Sequence, residues 1–295
     1  MNQENQRNKS KDSSKKEKRL HGKYFIVIAL LIIFSEYYVY CFHIAKITNC
    51  ETHYFGSFIC VAIYTFLTFF VLWAYIIVLK THPGQIPLYW GFYIGDDEIK
   101  RKRYCLICNA FKPERSHHCS ICNVCVLNMD HHCPWVDNCI GFNNRKFFMQ
   151  LLMFLETCLI FNVLSSPFFL IPRINEAIQV PRHYPYLFQL LFTIGATIGN
   201  CIFAFIFGMF VKFHIKLVLT NSTTIENLDK EHAEENSKFC LRPYENWIQV
   251  FGDDKRYWLL PIVCEKGAPR GDGLIWPLRE TETNMNEINR GNETR

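Results

Sequence analysis

Between Cys105 and Cys139 the chain carries seven cysteines and four histidines. They read Cys105-x2-Cys108, His117-His118-Cys119-x2-Cys122-x2-Cys125, Asp130-His131-His132-Cys133 and Cys139. Two residues between cysteines place both sulfurs on one tight knuckle, a spacing that tetrahedral zinc accepts. One such pair is a weak signal, but three overlapping pairs with interleaved imidazoles are a strong one. Closed structural sites take four ligands each, so two Cys3His sites use six cysteines and two histidines. One thiol and two imidazoles are left over. A spare thiol beside an imidazole and a carboxylate is the arrangement that activates a cysteine nucleophile. Cys133 is the natural candidate, since it follows His131-His132, lies three residues after Asp130 and precedes the chain-bending Pro134-Trp135. His131 is then the base and Asp130 the group that orients it. The same residues also allow a second reading, a catalytically silent zinc module over 105–139 that binds a partner.

The composition indicates what must position this cluster. Of 295 residues, 49% are hydrophobic and 20% charged, with 26 Phe and 14 Tyr. The mean hydropathy of +0.01 arises because polar tails average against long apolar blocks. A disordered chain, a collagen-like chain and a uniformly soluble single core are excluded. Four apolar runs, Tyr24–Ala45, Phe55–Leu79, Phe147–Ile171 and Tyr186–Val211, meet the requirement of about 20 helical residues for crossing a bilayer. Tyr24, Tyr54, Trp73, Tyr75 and Tyr186 mark their ends, where amphipathic rings favour the interface. The expected fold is an all-α polytopic membrane protein, four transmembrane helices with a zinc-binding cysteine-rich domain between the second and third. Half of the 14 cysteines fall in that domain among histidines, which favours metal in a reducing compartment over disulfides.

Charge sets the expected orientation. Residues 1–23 hold eight Lys or Arg against three acidic residues, Lys80–Lys146 holds nine basic residues including Lys100-Arg101-Lys102-Arg103, and Lys212 and Lys216 follow the fourth run. The connectors Lys46–Tyr54 and Pro172–Pro185 hold one and two. The positive-inside rule places both termini and the cysteine-rich domain in the cytosol. Asn8, Asn221 and Asn292, each in an Asn-x-Ser/Thr triplet, are then expected to be unmodified. The start does not read as a removable signal peptide. The domain reading is a basic disordered tail over 1–23, helices 1 and 2 over 24–79, the cysteine-rich domain over 80–146, helices 3 and 4 over 147–211, a cytosolic segment over 212–265 and a disordered tail over 266–295. Glu36 and Glu156 fall inside spans, where a charge is expensive, and are read as bonded or protonated carboxyls facing the bundle.

A nucleophilic thiol at the inner membrane surface can reach an amphiphile whose reactive head sits at the interface. Long-chain acyl-CoA is such a molecule. Its phosphates call for cations, for which Lys112, Arg115 and His117 stand close before the second ligand group. Phe148, Leu151 and Cys158 lie on about one face of the third run by helical spacing and could line a cavity for the acyl chain.

At this point the segment Cys105–Phe147 resembles the cysteine-rich domain of the DHHC protein S-acyltransferases, with Asp130-His131-His132-Cys133 as the naming motif. Lys112-Pro113-Glu114-Arg115-Ser116-His117-His118-Cys119 is similar to the approach to it, and Cys133 to Asn144 to its continuation. Thr223-Thr224-Ile225-Glu226 resembles the family's TTxE motif. Asn246-x3-Val250-Phe251-Gly252 with Tyr257-Trp258-Leu259-Leu260-Pro261 resembles its C-terminal aromatic motif. The resemblance implies two structural zinc ions, one on Cys105, Cys108, His118 and Cys125 and the other on Cys119, Cys122, His132 and Cys139. It implies palmitoyl-CoA as co-substrate, an acyl-enzyme on Cys133, cysteines of membrane-associated proteins as acceptors, and a Golgi or endoplasmic reticulum setting. Nucleic acid is not an expected partner. Thr224 is implied to contact Asp130, and Asn246 to satisfy backbone groups where the C-terminal segment meets the bundle. One departure stands out: the family's Asp-Pro-Gly after helix 2 is His82-Pro83-Gly84 here.

Overall fold

The computed structural model describes residues 22–42, 54–91, 103–179, 184–229 and 238–279. The basic tail before Gly22, most of the Lys46–Tyr54 connector, Lys100-Arg101-Lys102, Asn8 and Asn292 lie outside the described residues. Among the described residues, four helices or helix pairs are long and apolar enough to cross a membrane, which marks an integral membrane protein. They begin with α1 (Gly22–Phe42) and α2 (Tyr54–Lys80). The third is interrupted. α3 (Arg145–Ser165) is followed by α4 (Pro167–Gln179), because Pro167 has no N–H to continue the ladder and its ring favours a first-turn position. α4 runs through Pro172 and covers most of the expected Pro172–Pro185 connector. α5 (Tyr184–Leu219) runs eight residues past the expected end at Val211, so Lys212 and Lys216 are helical.

By contact density the chain divides into two compact units. One holds the described residues up to Thr81, His132–Asn138 and Phe147–His214; the other holds His82–His131, Cys139–Lys146 and the described residues from Ile215 onward. In the helical unit several polar groups are bonded internally. Tyr40 Oη and Ser165 Oγ lie 3.0 Å apart, Glu36 bonds Asn200, and Arg173 donates to Gln189 at 2.7 Å. Inside hydrocarbon each unmet polar group would cost several kcal/mol. Glu156 packs against Gly208, where an added Cβ would stand 2.9 Å from its Oε1.

The all-α expectation is corrected in the second unit and its junctions. The cysteine-rich segment forms three two-stranded sheets, β1 (Tyr104–Cys105) with β2 (Ala110–Phe111), β3 (His117–Cys119) with β4 (Val124–Val126), and β5 (His131–Cys133) with β6 (Asn138–Ile140). Its ligand-rich sequence cannot sustain an amphipathic helix, since ligands crowd at knuckle spacing. In β3–β4 the register pairs His118 with Cys125 and Cys119 with Val124. Two short helices complete the unit, α6 (Thr224–Leu228) and α7 (Pro243–Phe251). The disordered tail expected from 266 is also corrected, as ordered structure reaches residue 279. Trp276 is buried in an apolar cluster with Ile86, Cys105, Cys125, Leu127, Phe142 and Phe239. A large aromatic side chain gains enough from such burial, with Leu274 packed beside it, to order the chain around it.

The substituted turn at His82 keeps a side-chain bond. The His82 Nδ1 accepts the Gly84 N–H at 3.1 Å, the contact an acidic side chain makes in an Asx turn. Gly84 lies at φ 115°, a conformation natural to glycine. From this turn Pro83 O accepts Asn143 N–H at 3.0 Å and Gly84 O accepts Leu127 N–H at 3.2 Å.

Candidate active site and metal centres

The two metal-type clusters arise from strand alternation, since successive side chains of a strand point to opposite faces. Cys105, Cys108, His118 and Cys125 each bring one ligand atom within 4.8 Å of the others, and Cys119, Cys122, His132 and Cys139 do the same. His118 and Cys119 are therefore neighbours in β3 that serve different clusters. Each knuckle is closed by an Asn in the left-handed region, Asn109 at φ 52° and Asn123 at φ 59°. Within the knuckles, Cys108 N–H donates to Cys105 Sγ at 3.5 Å and Cys122 N–H to Cys119 Sγ at 3.3 Å.

The spacing suits a tetrahedral ion. The His118 Nδ1 faces Cys105, Cys108 and Cys125 sulfurs at 3.6, 3.3 and 3.9 Å, and Cys122 and Cys139 sulfurs are 3.4 Å apart. Metal bonds of about 2.0–2.3 Å give tetrahedron edges of roughly 3.4–3.8 Å. Burial and then neighbouring thiols push the Cys125 thiol up, while hydrogen bonding to Cys119 and Cys122, then burial, push Cys139 up. Three thiolates together thus need a cation, and both clusters could hold one. Cys133 belongs to neither.

Along β5 the same alternation sends His132 to one face and His131 and Cys133 to the other. Asp130, 1% exposed, precedes the strand. Its Oδ2 accepts from His131 Nδ1 at 2.7 Å and from Thr224 Oγ1 at 2.7 Å, and its Oδ1 accepts the Thr224 N–H at 3.0 Å. Arg145 brings a guanidinium nitrogen to 3.5 Å from Oδ1. Burial opposes ionisation, but the Arg145 charge and the bonds from His131 and Thr224 outweigh it and hold the carboxyl well below the usual carboxylate range. A carboxylate so fixed keeps a proton on His131 Nδ1, which makes Nε2 the basic nitrogen. Arg145 itself is 3% exposed and also donates to Ser222 O at 2.5 Å. Arg145 is not singled out by sequence reasoning; its place at the start of an apolar helix was the one available signal.

Cys133, 7% exposed, immediately precedes a 3-10 turn, Pro134–Val136, that ends on Asp137 at φ 43°. Within the helical unit this strap is tied to α2. Tyr75 Oη donates to Trp135 O at 2.7 Å, and the Asn138 amide donates to Val78 O and Thr81 O at 3.0 and 2.9 Å. Val78 lies in the last turn of α2 and Thr81 just past it, where carbonyls have no intrahelical donors left.

The residues considered for the CoA head separate. Lys112 and His117 are half-buried; burial, then Arg103, pulls the His117 imidazole down. Arg115 departs from the expectation. It is 4% exposed, at φ 62°, and turned inward to Glu226 at 2.7 and 2.9 Å and Asn221 Oδ1 and O at 2.9 and 2.8 Å. Four of its five N–H groups thereby meet internal acceptors. Asn221, the described member of the three glycan-type triplets, is 3% exposed and donates to Phe239 O at 2.7 Å. Phe148, Leu151 and Cys158 are all buried on α3, with Phe148 edge-on to His214 at 5.2 Å. Asn246 is fully buried; its amide donates to Leu219 O at 2.7 Å and its carbonyl accepts Leu241 N–H at 2.9 Å.

Four apolar helices, two Cys/His clusters and a bonded Asp130–His131 pair mark a membrane protein with metal-type centres. Residues 98–231 match the family model described as DHHC palmitoyltransferase. The palmitoyltransferase ZDHHC20 of Bos taurus is 37% identical over 221 residues, 74% of this chain and 56% of that protein. Its Homo sapiens counterpart is 32% identical over 225 residues, 72% of this chain and 57% of that one. The probable protein S-acyltransferase 13 of Arabidopsis thaliana is 36% identical over 253 residues, 77% of this chain and 81% of that protein. The chain belongs to the DHHC palmitoyltransferase family, and its match spans a little over half the length of the two mammalian relatives.

Proposed function

We propose that the chain is a protein S-acyltransferase that carries a long-chain acyl group, palmitoyl foremost, from acyl-CoA to cysteines of membrane-associated proteins. The observation that supports this most directly is the Asp130–His131 bond of 2.7 Å, with Cys133 next but one in sequence and outside both ligand groups. His131 Nε2 takes the Cys133 proton while Asp130 stabilises the imidazolium. The Cys133 sulfur bonds the acyl carbon, the bond from that carbon to the CoA sulfur breaks, and the proton returns to the departing thiolate. An acceptor thiol then repeats the exchange and restores Cys133. Thioester becomes thioester, so positioning matters more than driving force.

Zinc is the cation we assign to both clusters, because soft thiolates with one imidazole select it. When bound it supplies a rigid frame, and the eight ligand residues hold it outside the reaction path. The cysteine-rich segment faces the cytosol on the balance of basic residues, in the Golgi or endoplasmic reticulum, with Lys112 and His117 towards the CoA phosphates and Phe148, Leu151 and Cys158 towards the acyl chain.

The test is mass spectrometry of the purified full chain after incubation with palmitoyl-CoA. The expected product is one acyl group on Cys133, absent in Cys133→Ser, with zinc content equal in both. A chain that binds two zinc ions but never acylates would instead be a silent adaptor.

A further inference from the structure

Arg115 lies 111 residues from Glu226 in sequence, yet its guanidinium and that carboxylate form a two-point pair with the Arg115 side chain 1% exposed. Glu226 is doubly engaged. Its Oε2 also accepts the Thr223 N–H at 2.8 Å, and the Thr223 hydroxyl accepts the Glu226 N–H at 3.2 Å, a capping box at the start of α6. The next residue in that first turn is Thr224, whose N–H and hydroxyl both bond Asp130. Phe239 and Trp276 stack on the guanidinium at 4.8 and 4.3 Å, which fixes its plane and removes it from water. From Arg115 the chain of contacts thus runs through Glu226 and the capped turn to Thr224, Asp130 and His131, all within one unit.

We infer that Arg115 is a positioning residue for the Asp130–His131 pair, acting through Glu226 and Thr224, and not a ligand for the phosphates of the acyl donor. The inference rests on the acyltransferase reading for its kinetic meaning, while the geometry it invokes stands apart from it. A buried, bidentate Arg–carboxylate pair is rigid. Losing one partner leaves a buried charge unmatched, so the turn that carries Thr224 shifts. Shifts of about 1 Å in a catalytic constellation cost roughly a hundredfold in rate.

The two roles separate in single-turnover acylation of the full chain across palmitoyl-CoA concentrations, comparing wild type, Arg115→Ala, Arg115→Lys, Glu226→Gln and the double variant Arg115→Ala/Glu226→Gln. Positioning predicts a maximal rate lowered by roughly ten- to a hundredfold in Arg115→Ala and Glu226→Gln, with the half-saturating concentration within about twofold. The double variant should be no slower than the worse single one, since residues acting as one unit are not additive. Arg115→Lys should recover part of the rate. An unchanged maximal rate with a raised half-saturating concentration, or multiplicative losses, would overturn the inference. The 15N signals of His131 provide a second reading that needs no turnover. They should shift in Arg115→Ala and Glu226→Gln alike at equal zinc content, and an unmoved His131 would refute positioning. If wild type forms no acyl-enzyme, the acyltransferase reading fails by itself and the imidazole signals still decide this one.

Discussion

Thr224 holds Asp130 with two bonds, N–H to Oδ1 at 3.0 Å and hydroxyl to Oδ2 at 2.7 Å, across 94 residues of sequence. Both carboxylate oxygens are thereby fixed in plane, so the His131 Nδ1 meets an acceptor with little freedom to rotate.

Thr224→Val keeps the N–H and removes the hydroxyl. A hydrogen bond to a buried charged group contributes about 1.5–3 kcal/mol, so acylation of Cys133 should slow by about ten- to a hundredfold. Rapid-quench acylation measures it, and Thr224→Ser should stay near wild type.

Removing one ligand tests the clusters separately. Cys108→Ala should lower bound zinc from two ions to one and reduce thermal stability, as should Cys122→Ala through the other group. Metal analysis of purified protein with a thermal melt of each variant is the check. Loss of both ions from either variant would mean that the centres fold only together.

Glu226 makes a pH prediction. Burial would raise its carboxyl, but hydrogen bonds and charge from Arg115 lower it on balance. A group whose folded value is depressed contributes stability above its unfolded value, about 4.3, and loses it as pH falls through the folded value. The stability gap between wild type and Glu226→Gln should be full at pH 7 and narrow on descent below about pH 4. Denaturant unfolding in detergent at several pH values would show it, and a gap that widens in acid would contradict it.

Gly141 has no space for a side chain. An added Cβ would stand 2.6 Å from Val126 Cγ1 and 2.8 Å from both Leu127 O and Pro83 O. Two of these are backbone atoms in a bonded turn, so relief requires the chain to move. Gly141→Ala should cost about 1–3 kcal/mol or more, read as a lowered melting temperature with reduced zinc retention.

The membrane helices were legible because continuous apolar runs admit few other uses, and the ligand groups because Cys-x2-Cys knuckles and adjacent His pairs have a narrow geometric meaning. Their ends were less so. The break at Pro167 sits inside an unbroken apolar run, and α5 carries Lys212 and Lys216 into helix where a hydropathy reading stops. The fate of Arg115 was hidden for a different reason. A basic residue ahead of a ligand group reads as solvated, and nothing local reveals acceptors at 221 and 226. Trp276 shows the same limit, since the short apolar stretch Leu274–Leu278 gives no period, and only the packed cluster around Arg115 and Phe142 shows why that stretch is ordered.

A strand of three residues, β5, parts a metal ligand from the thiol and its imidazole by nothing more than the up-and-down of successive side chains. Parity therefore guards the division of labour. Inserting or deleting a single residue between Cys125 and His131 would turn the strand over, presenting His131 and Cys133 to the ion and His132 to the substrate. Point changes at these positions leave a damaged site, whereas a one-residue slip would exchange the trades of its parts.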